Sequence, residues 1–337
     1  MNQSIRYIPK KLLLRRQIIL TSNIMTIVVP SYNEEDTLEI FMDTILETQK
    51  KLPSVFIETL FVNDGSRDNT LAVIKQLAAK YPERVSYISF SRNFGKEAGI
   101  MAGLEYAQGE WISLMDADLQ DPPEMLVEMH RLITEEDYDV VGTKRVNREG
   151  EPPVRSFFAN LYYKLNNVIS DVKLEEGVRD YRLMTREVVD AVLSLPERNR
   201  FSKGIFSWVG YKVKYLDYYN VERSAGDSSW SFTQLIRYAF DGIISFSDAP
   251  LTFASMLGLI IFILSSIYGI YIIVKTVLLG ATTPGWPSLA VLIVGMGGLQ
   301  LFCLGIVGKY VAKIFNETKR RPLYIVKEAH TRKEIEQ

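Results

Sequence analysis

Cysteine and histidine are nearly missing from this chain of 337 residues: Cys303 is its single cysteine, and His130 and His330 are its two histidines. One cysteine excludes an intrachain disulfide and any thiolate metal cluster, and its position inside an apolar run fits a reducing compartment. Two histidines give little support to a histidine metal site or a Ser-His-Asp triad. Acidic side chains must therefore carry the chemistry. Charge is scarce as well: between Pro250 and Gly308 only Lys275 is charged. The formal net charge of −1 excludes the overall basic character of a nucleic-acid binder.

What is present divides the chain in two. Ahead of Asp248 the sequence is charged and punctuated by glycine, while residues 248–316 hold two apolar stretches at about 251–278 and 288–311. Each exceeds the ~20 residues that cross ~30 Å of hydrocarbon, and Gly280 to Pro287 makes the turn. Just before them, residues 231–247 place aromatics and isoleucine at helical spacing, which predicts an amphipathic helix lying in the membrane interface. Lys309, Lys313, Lys319, Arg320, Arg321 and Lys327 crowd the far end, and 317–337 is expected to be a basic cytoplasmic tail facing anionic headgroups. Two crossings then leave the large domain on the cytoplasmic side too. Residues 1–24 carry Lys10, Lys11, Arg15 and Arg16, which interrupt a signal-peptide core. They are read either as a basic arm on the membrane or as an extension ahead of the domain.

From Met25 to Gly142 short β-branched runs alternate with amphipathic stretches, predicting an α/β domain over 25–230 with a mostly parallel sheet. Such sheets bind ligands at the carboxyl ends of their strands. Those ends are polar here: Pro30-Ser31-Tyr32-Asn33-Glu34-Glu35, Asn63-Asp64-Gly65-Ser66, Ser91-Arg92-Asn93-Phe94-Gly95 and Asp116-Ala117-Asp118. Asp116 and Asp118 project to one face of a strand end, where they repel each other unless a cation intervenes. Oxygen ligands favour Mg2+ or Mn2+, and Gln120 offers a further carbonyl oxygen. Asp64 reads equally as a turn residue or as an acceptor for a nucleoside.

Five stretches taken in order, IVVPSYNEE, FVNDGSRDNT, SRNFGKEAG, DADLQDPPE and AGDSSWSFTQLIRYAFDGIISFS, resemble the polyprenyl-phosphate glycosyltransferases of glycosyltransferase family 2. The similarity extends to bactoprenol glucosyltransferases over nearly the whole chain and to dolichol-phosphate mannose synthase over the globular part. It implies a GT-A nucleotide-diphospho-sugar transferase fold, with Pro30, Tyr32, Glu34, Asp64 and Asp116 lining the nucleotide-sugar pocket and Asp116, Asp118 and Gln120 around the metal. The basic stretch GTKRVNREGEPPVR has the composition of a loop and is similar to the family's acceptor loop; Arg145 and Arg155 are its candidates for the lipid phosphate. In GVRDYRLM, Asp180 matches the aspartate that faces the reacting sugar, with Arg182 beside it as a further catalytic candidate. Arg223 resembles a residue of the loop that closes over the donor, although Ser229 stands where many relatives have lysine.

By resemblance the expected reaction is inverting hexosyl transfer from a nucleotide sugar to undecaprenyl phosphate at the inner membrane, for modification of cell-envelope glycans. UDP-glucose is the first choice of donor, ahead of UDP-N-acetylglucosamine, UDP-galactose or GDP-mannose. The expected partners include further copies of the chain, as a tetramer, and a flippase. A processive polysaccharide synthase would need a QxxRW segment and more crossings. The reading from another class is an inert membrane scaffold for a flippase or a second transferase.

Overall fold

A computed structural model describes residues 23–145, 167, 175, 177–195, 197–198, 200–218, 247, 249–279 and 285–331. The expectations placed on residues 1–22, on Arg155, Arg223 and Ser229, and on all of 231–247 except Ser247 lie outside those residues. Two compact units emerge, and the first contains every strand among the described residues.

The first unit begins with the alternation expected: β1 (Ile24–Ser31), α1 (Leu38–Lys51), β2 (Phe56–Asn63), α2 (Thr70–Lys80), β3 (Val85–Phe90), α3 (Lys96–Tyr106), β4 (Trp111–Leu114) and α4 (Met125–Glu135). It continues with β5 (Val140–Arg145), β6 (Val178–Thr185), α5 (Arg186–Ser194), α6 (Ser202–Trp208) and β7 (Val213–Tyr218). The described strands form one eight-stranded sheet in the order β7-β5-β6-β4-β1-β2-β3-β8, where β8 is Val326–His330. The pairs β1–β2, β1–β4, β2–β3 and β5–β7 are parallel. Strand β6 enters antiparallel between β4 and β5, and β8 closes the β3 edge antiparallel.

Burial explains the layering. β1 is covered on both faces, so it reads as a nearly continuous apolar run, interrupted by the buried Thr26, instead of an alternating one. Helix α1 turns Leu38, Phe41, Met42 and Ile45 inward at helical spacing, and α4 does the same with Leu126, Met129, Leu132 and Ile133. Helix α3 is buried nearly throughout and lies directly on β1: a Cβ on Gly103 would come within 2.0 Å of Val28 Cγ1. Only glycine fits there.

Two expectations need correction. The described part of the expected tail, 317–331, is not a simple tail, because β8 pairs with β3 and Tyr324 stacks on Phe90 at 4.9 Å. The apolar run Leu323 to Val326 gives that segment surface to bury, with Leu323, Tyr324 and Val326 half-buried, which the neighbouring lysines and arginines concealed. Lys144 and Arg145 likewise belong to β5 and not to the loop beyond it; pairing with β7 carries the strand through Arg145.

The second unit holds α7 (Ala249–Leu279) and α8 (Trp286–Thr318). At 31 and 33 residues these helices are about 46 and 50 Å long, ample to cross a bilayer by length and composition. Helix α8 starts within the expected turn, with proline in its first turn, and runs past the expected end at 311. Large apolar side chains such as Leu264, Ile270, Leu301 and Ile314 stand exposed, as suits helices solvated by lipid. A Cβ built on Gly295, Gly297, Gly298, Gly305 or Gly308 meets nothing within 4 Å among the described residues.

Candidate active site

The polar ends of β1, β2, β3 and β4 gather at one rim of the sheet, and the amino end of α3 and part of β6 join them. At β4, Asp116 and Asp118 flank the buried Ala117. Leu119 then takes a left-handed conformation, φ 55°, which is costly for a branched residue. That twist turns the loop so that the Gln120 N–H donates to Asp118 Oδ1 at 3.1 Å. Asp121, 2% exposed, follows, and Pro122 and Pro123 are pinned by the Tyr181 hydroxyl, which donates to their carbonyls at 3.3 and 3.4 Å.

Cations answer these acids. Lys96, the first residue of α3, places Nζ 2.8 Å from Asp116 Oδ1, 2.9 Å from Asp116 Oδ2 and 2.7 Å from Asp180 Oδ2. Burial opposes charge on Asp180, but Lys96, Lys203 and Arg182 outweigh it and hold the carboxyl well below its ordinary range. Burial likewise pulls Lys96 down, and Asp116 and Asp180 more than reverse it. Arg179 donates from Nε to Asp121 Oδ1 at 3.3 Å and from Nη2 to Gln120 Oε1 at 3.2 Å. The Tyr218 hydroxyl donates to the Asp121 carboxylate as well. Even so, burial raises the Asp121 pKa, aided by the neighbouring charges of Asp116 and Asp118. Arg145 sits opposite Tyr218 in the β5–β7 register, at the edge of this cluster.

On the β1–β2–β3 side the arrangement differs. Asp64, 4% exposed, accepts the N–H of Phe94 at 2.6 Å and that of Gly95 at 2.8 Å, one on each carboxylate oxygen. Burial raises its pKa against the pull of those two donors and of Arg92. Gly65 adopts φ 63° and lies so close to Arg92 that a Cβ would be 2.4 Å from its carbonyl carbon. Asn63 and Asn33 knit the neighbouring turns: Asn63 Nδ2 donates to Ser89 Oγ at 2.9 Å, and Asn33 Oδ1 accepts the Arg67 N–H at 3.0 Å. The Glu34 N–H donates to Thr70 Oγ1 at 2.8 Å, while its carboxylate accepts the Thr37 hydroxyl at 3.0 Å. Tyr32 is 40% exposed beside this loop, and Pro30 packs under Gly99 of α3.

Of the residues singled out from sequence, Asp116, Asp118, Gln120 and Asp180 are brought into one cluster. Arg182 lies behind it, close enough to act on the Asp180 charge: its guanidinium is buried over the Phe206 ring at 4.1 Å and donates to the carbonyls of Asp180 at 3.1 Å and Arg179 at 3.0 Å. Its geometry positions β6. Sequence reasoning missed Lys96, Arg179, Asp121 and Tyr218. One signal was available, since a lysine at the first turn of a helix opposes the macrodipole, and such breaches of local preference gather at functional sites.

A metal ion fits this donor set on limited terms. No group of three or more His, Cys, Asp or Glu side chains suited to an ion occurs among the described residues. Two partly exposed carboxylates do suit Mg2+ or Mn2+, which complete their shells with water and substrate phosphates. Gln120 already gives its amide oxygen to Arg179.

The family model for glycosyl transferase family 2 matches residues 26–193. CsbB of Bacillus subtilis (strain 168) is 45% identical over 307 residues, covering 91% of this chain and 92% of its own. A prophage bactoprenol glucosyl transferase homolog of Escherichia coli (strain K12) is 41% identical, covering 90% and 98%. The bactoprenol glucosyl transferase of Shigella phage SfII is 41% identical, covering 91% and 98%. A solved mannosyltransferase of Pyrobaculum calidifontis aligns over 86% of this chain and 87% of its own with 15% identity and a TM-score of 0.43, too loosely to carry an argument. The chain belongs to glycosyl transferase family 2, and its mixed α/β sheet is of the GT-A type. It is a glycosyltransferase.

Proposed function

We propose that this glycosyltransferase moves a hexose from a nucleotide sugar to a polyprenyl phosphate at the membrane surface, with inversion at the anomeric carbon. The observation that carries the reading is a clustered acid site, Asp116, Asp118 and Asp180, on a chain that also bears two exposed apolar helices of membrane-crossing length. Relatives named as bactoprenol glucosyl transferases over 90% or more of the chain support the lipid acceptor. They also make UDP-glucose the first donor to test and undecaprenyl phosphate the first acceptor. Strand β8, after α8, pairs with β3, ahead of α7, so segments on both sides of the helix pair belong to one sheet. Two crossings of a plasma membrane satisfy that, with residues 25–230 as the cytoplasmic catalytic domain and 231–247 along the interface.

In this reading Pro30, Tyr32, Glu34 and Asp64 shape the nucleotide pocket, Asp64 chiefly by fixing the Phe94–Gly95 backbone. Asp116 and Asp118 would hold Mg2+ or Mn2+, which when bound neutralises the leaving diphosphate as a Lewis acid. The acceptor phosphate is already anionic near neutral pH and needs no strong base. Its oxygen bonds to C1 as the bond from C1 to the diphosphate oxygen breaks, and the electron pair departs with the nucleoside diphosphate. Asp180, kept ionised by Lys96, orients and polarises the sugar. Arg145, with Arg155, receives the acceptor phosphate, and Arg223 closes on the diphosphate.

Membranes containing the full-length protein, supplied with undecaprenyl phosphate and one radiolabelled donor at a time, test this directly. Labelled lipid should appear with one donor, UDP-glucose first, and Asp118→Ala should lower its formation about a thousandfold. An inert scaffold would tolerate Asp118→Ala. Absence of transfer from every nucleotide sugar by protein that still binds Mn2+ would defeat the proposal.

A further inference from the structure

Lys96 enters the reaction as written only by keeping Asp180 ionised, although it also contacts Asp116. It begins α3 directly after Gly95, where the helix macrodipole disfavours a cation. It is held there by two carboxylates from other elements, Asp116 beyond β4 and Asp180 on β6. Its ammonium contacts both oxygens of Asp116, which are the atoms a divalent ion would use. An ammonium and a divalent cation at one carboxylate repel each other, so the lysine and the metal compete. The N–H groups of Lys96 face three carboxylate oxygens of these acids, and a pyrophosphate group is the kind of anion that can take up the donors set free.

We infer that Lys96 is a resident counter-ion that keeps Asp116 and Asp180 apart from a metal until a nucleoside diphosphate arrives. The diphosphate then accepts the lysine, releasing Asp116, so metal and donor load together and poorly alone. This rests on the metal and donor reading above. It goes further in assigning to one residue a binding order, which makes Lys96 a positioning residue and not a catalytic one. The arrangement also protects the site, since in the absence of donor three acids near one strand end would otherwise repel.

The test is Mn2+ binding followed by electron paramagnetic resonance on full-length protein in detergent, with and without UDP and, as a second arm, GDP. In the native protein one of the two nucleotides should tighten Mn2+ about tenfold, in the range usual for coupled sites. Linkage requires Mn2+ to tighten that nucleotide by the same factor, measurable by calorimetry. Lys96→Met should bind Mn2+ about tenfold tighter without nucleotide, and the coupling should shrink to the part that direct attraction between the ion and the diphosphate supplies. Lys96→Arg, which keeps the charge, should resemble the native protein, and Lys96→Gln, which keeps a hydrogen-bonding side chain without charge, should resemble Lys96→Met. Equal or weaker Mn2+ binding in Lys96→Met and Lys96→Gln, with native circular dichroism, overturns the inference. Mn2+ binding unchanged by Asp118→Ala would instead overturn the metal reading itself, so the two failures can be told apart.

Discussion

The two halves of the site neutralise their acids by different means. Beside β2, Asp64 is satisfied by backbone N–H groups of Phe94 and Gly95, donors fixed in direction by the loop that carries them. Beside β4 and β6, Asp116, Asp180 and Asp121 are satisfied by the side-chain cations Lys96 and Arg179. Fixed dipoles cost no reorganisation when a ligand binds, whereas side-chain cations swing on flexible stems and can exchange partners. A pocket that must present the same face to every nucleotide suits the first arrangement. A centre where charge arrives and leaves in each turnover suits the second.

That contrast breaks most visibly at Arg179. Asp121 is 2% exposed and depends on Arg179 and Tyr218, so Arg179→Met leaves a buried carboxylate with one neutral donor. Removing one partner of such a pair is expected to cost about 3 kcal/mol. Thermal unfolding of the detergent-solubilised protein should show a large drop, and Arg179→Met combined with Asp121→Asn should recover most of it. If Arg179→Met unfolds like an ordinary surface variant, Asp121 is not held by charge and the distinction between the halves fails there.

Asp64→Asn sharpens the other side. One of its two N–H donors would then face an amide nitrogen, an uncompensated loss of about 1–3 kcal/mol. The dependence on pH separates the halves further. Asp64 lies above the ordinary 3.8 because burial dominates, so the folded state takes up its proton more readily and its contribution to stability improves as pH falls through that raised value. Asp180 lies below 3.8, so the stability it adds is fully present above about 3.8 and is lost as pH falls through the lowered folded value. Measured against native protein across an acid series, Asp180→Asn should therefore be most harmful near neutrality and converge with the native protein in strong acid. The ionic part of the Asp64→Asn effect should run the other way. Parallel curves for the two variants would erase the contrast.

Much of this was legible in the sequence, and what was not has a common cause. β-Branched runs ending in polar clusters located β1, β2, β3 and β4 and placed Asp64, Asp116 and Asp118 at their tips, because those signals are local. The apolar pair α7 and α8 declared itself by length. The partners of the acids did not: Lys96 meets Asp180 only because β6 inserts antiparallel beside β4, and no local pattern encodes that order. Arg182, two residues beyond Asp180 and so on the same face of β6, looked equally poised for chemistry, but it lies opposite Leu114 of β4, where its guanidinium is buried over Phe206. Strand β8 stayed hidden because its partner β3 is distant in sequence and its neighbours Lys319, Arg320 and Arg321 read as a solvated tail.

The smallest expected effect tests whether that hidden segment serves the fixed half. The Tyr324 ring stacks on Phe90 at 4.9 Å, Phe90 meets Phe94 edge to face at 5.8 Å, and the Phe94 N–H donates to Asp64. The Tyr324 hydroxyl also donates to Glu105 of α3, and the Ser91 N–H donates to the Ile325 carbonyl at 3.0 Å. Residues 324–325 thus brace the loop whose backbone holds Asp64. Tyr324→Phe removes one hydrogen bond, worth about 1 kcal/mol, and should leave transfer nearly intact. Tyr324→Ala also removes the ring that backs Phe90, freeing the 91–95 loop, and should raise the KM for the donor a few-fold with kcat little changed. Mn2+ binding at Asp116 and Asp118 should not move in either variant. A fall in kcat at constant KM would mean that this brace acts on the cation-held half instead, and that the two halves are mechanically one.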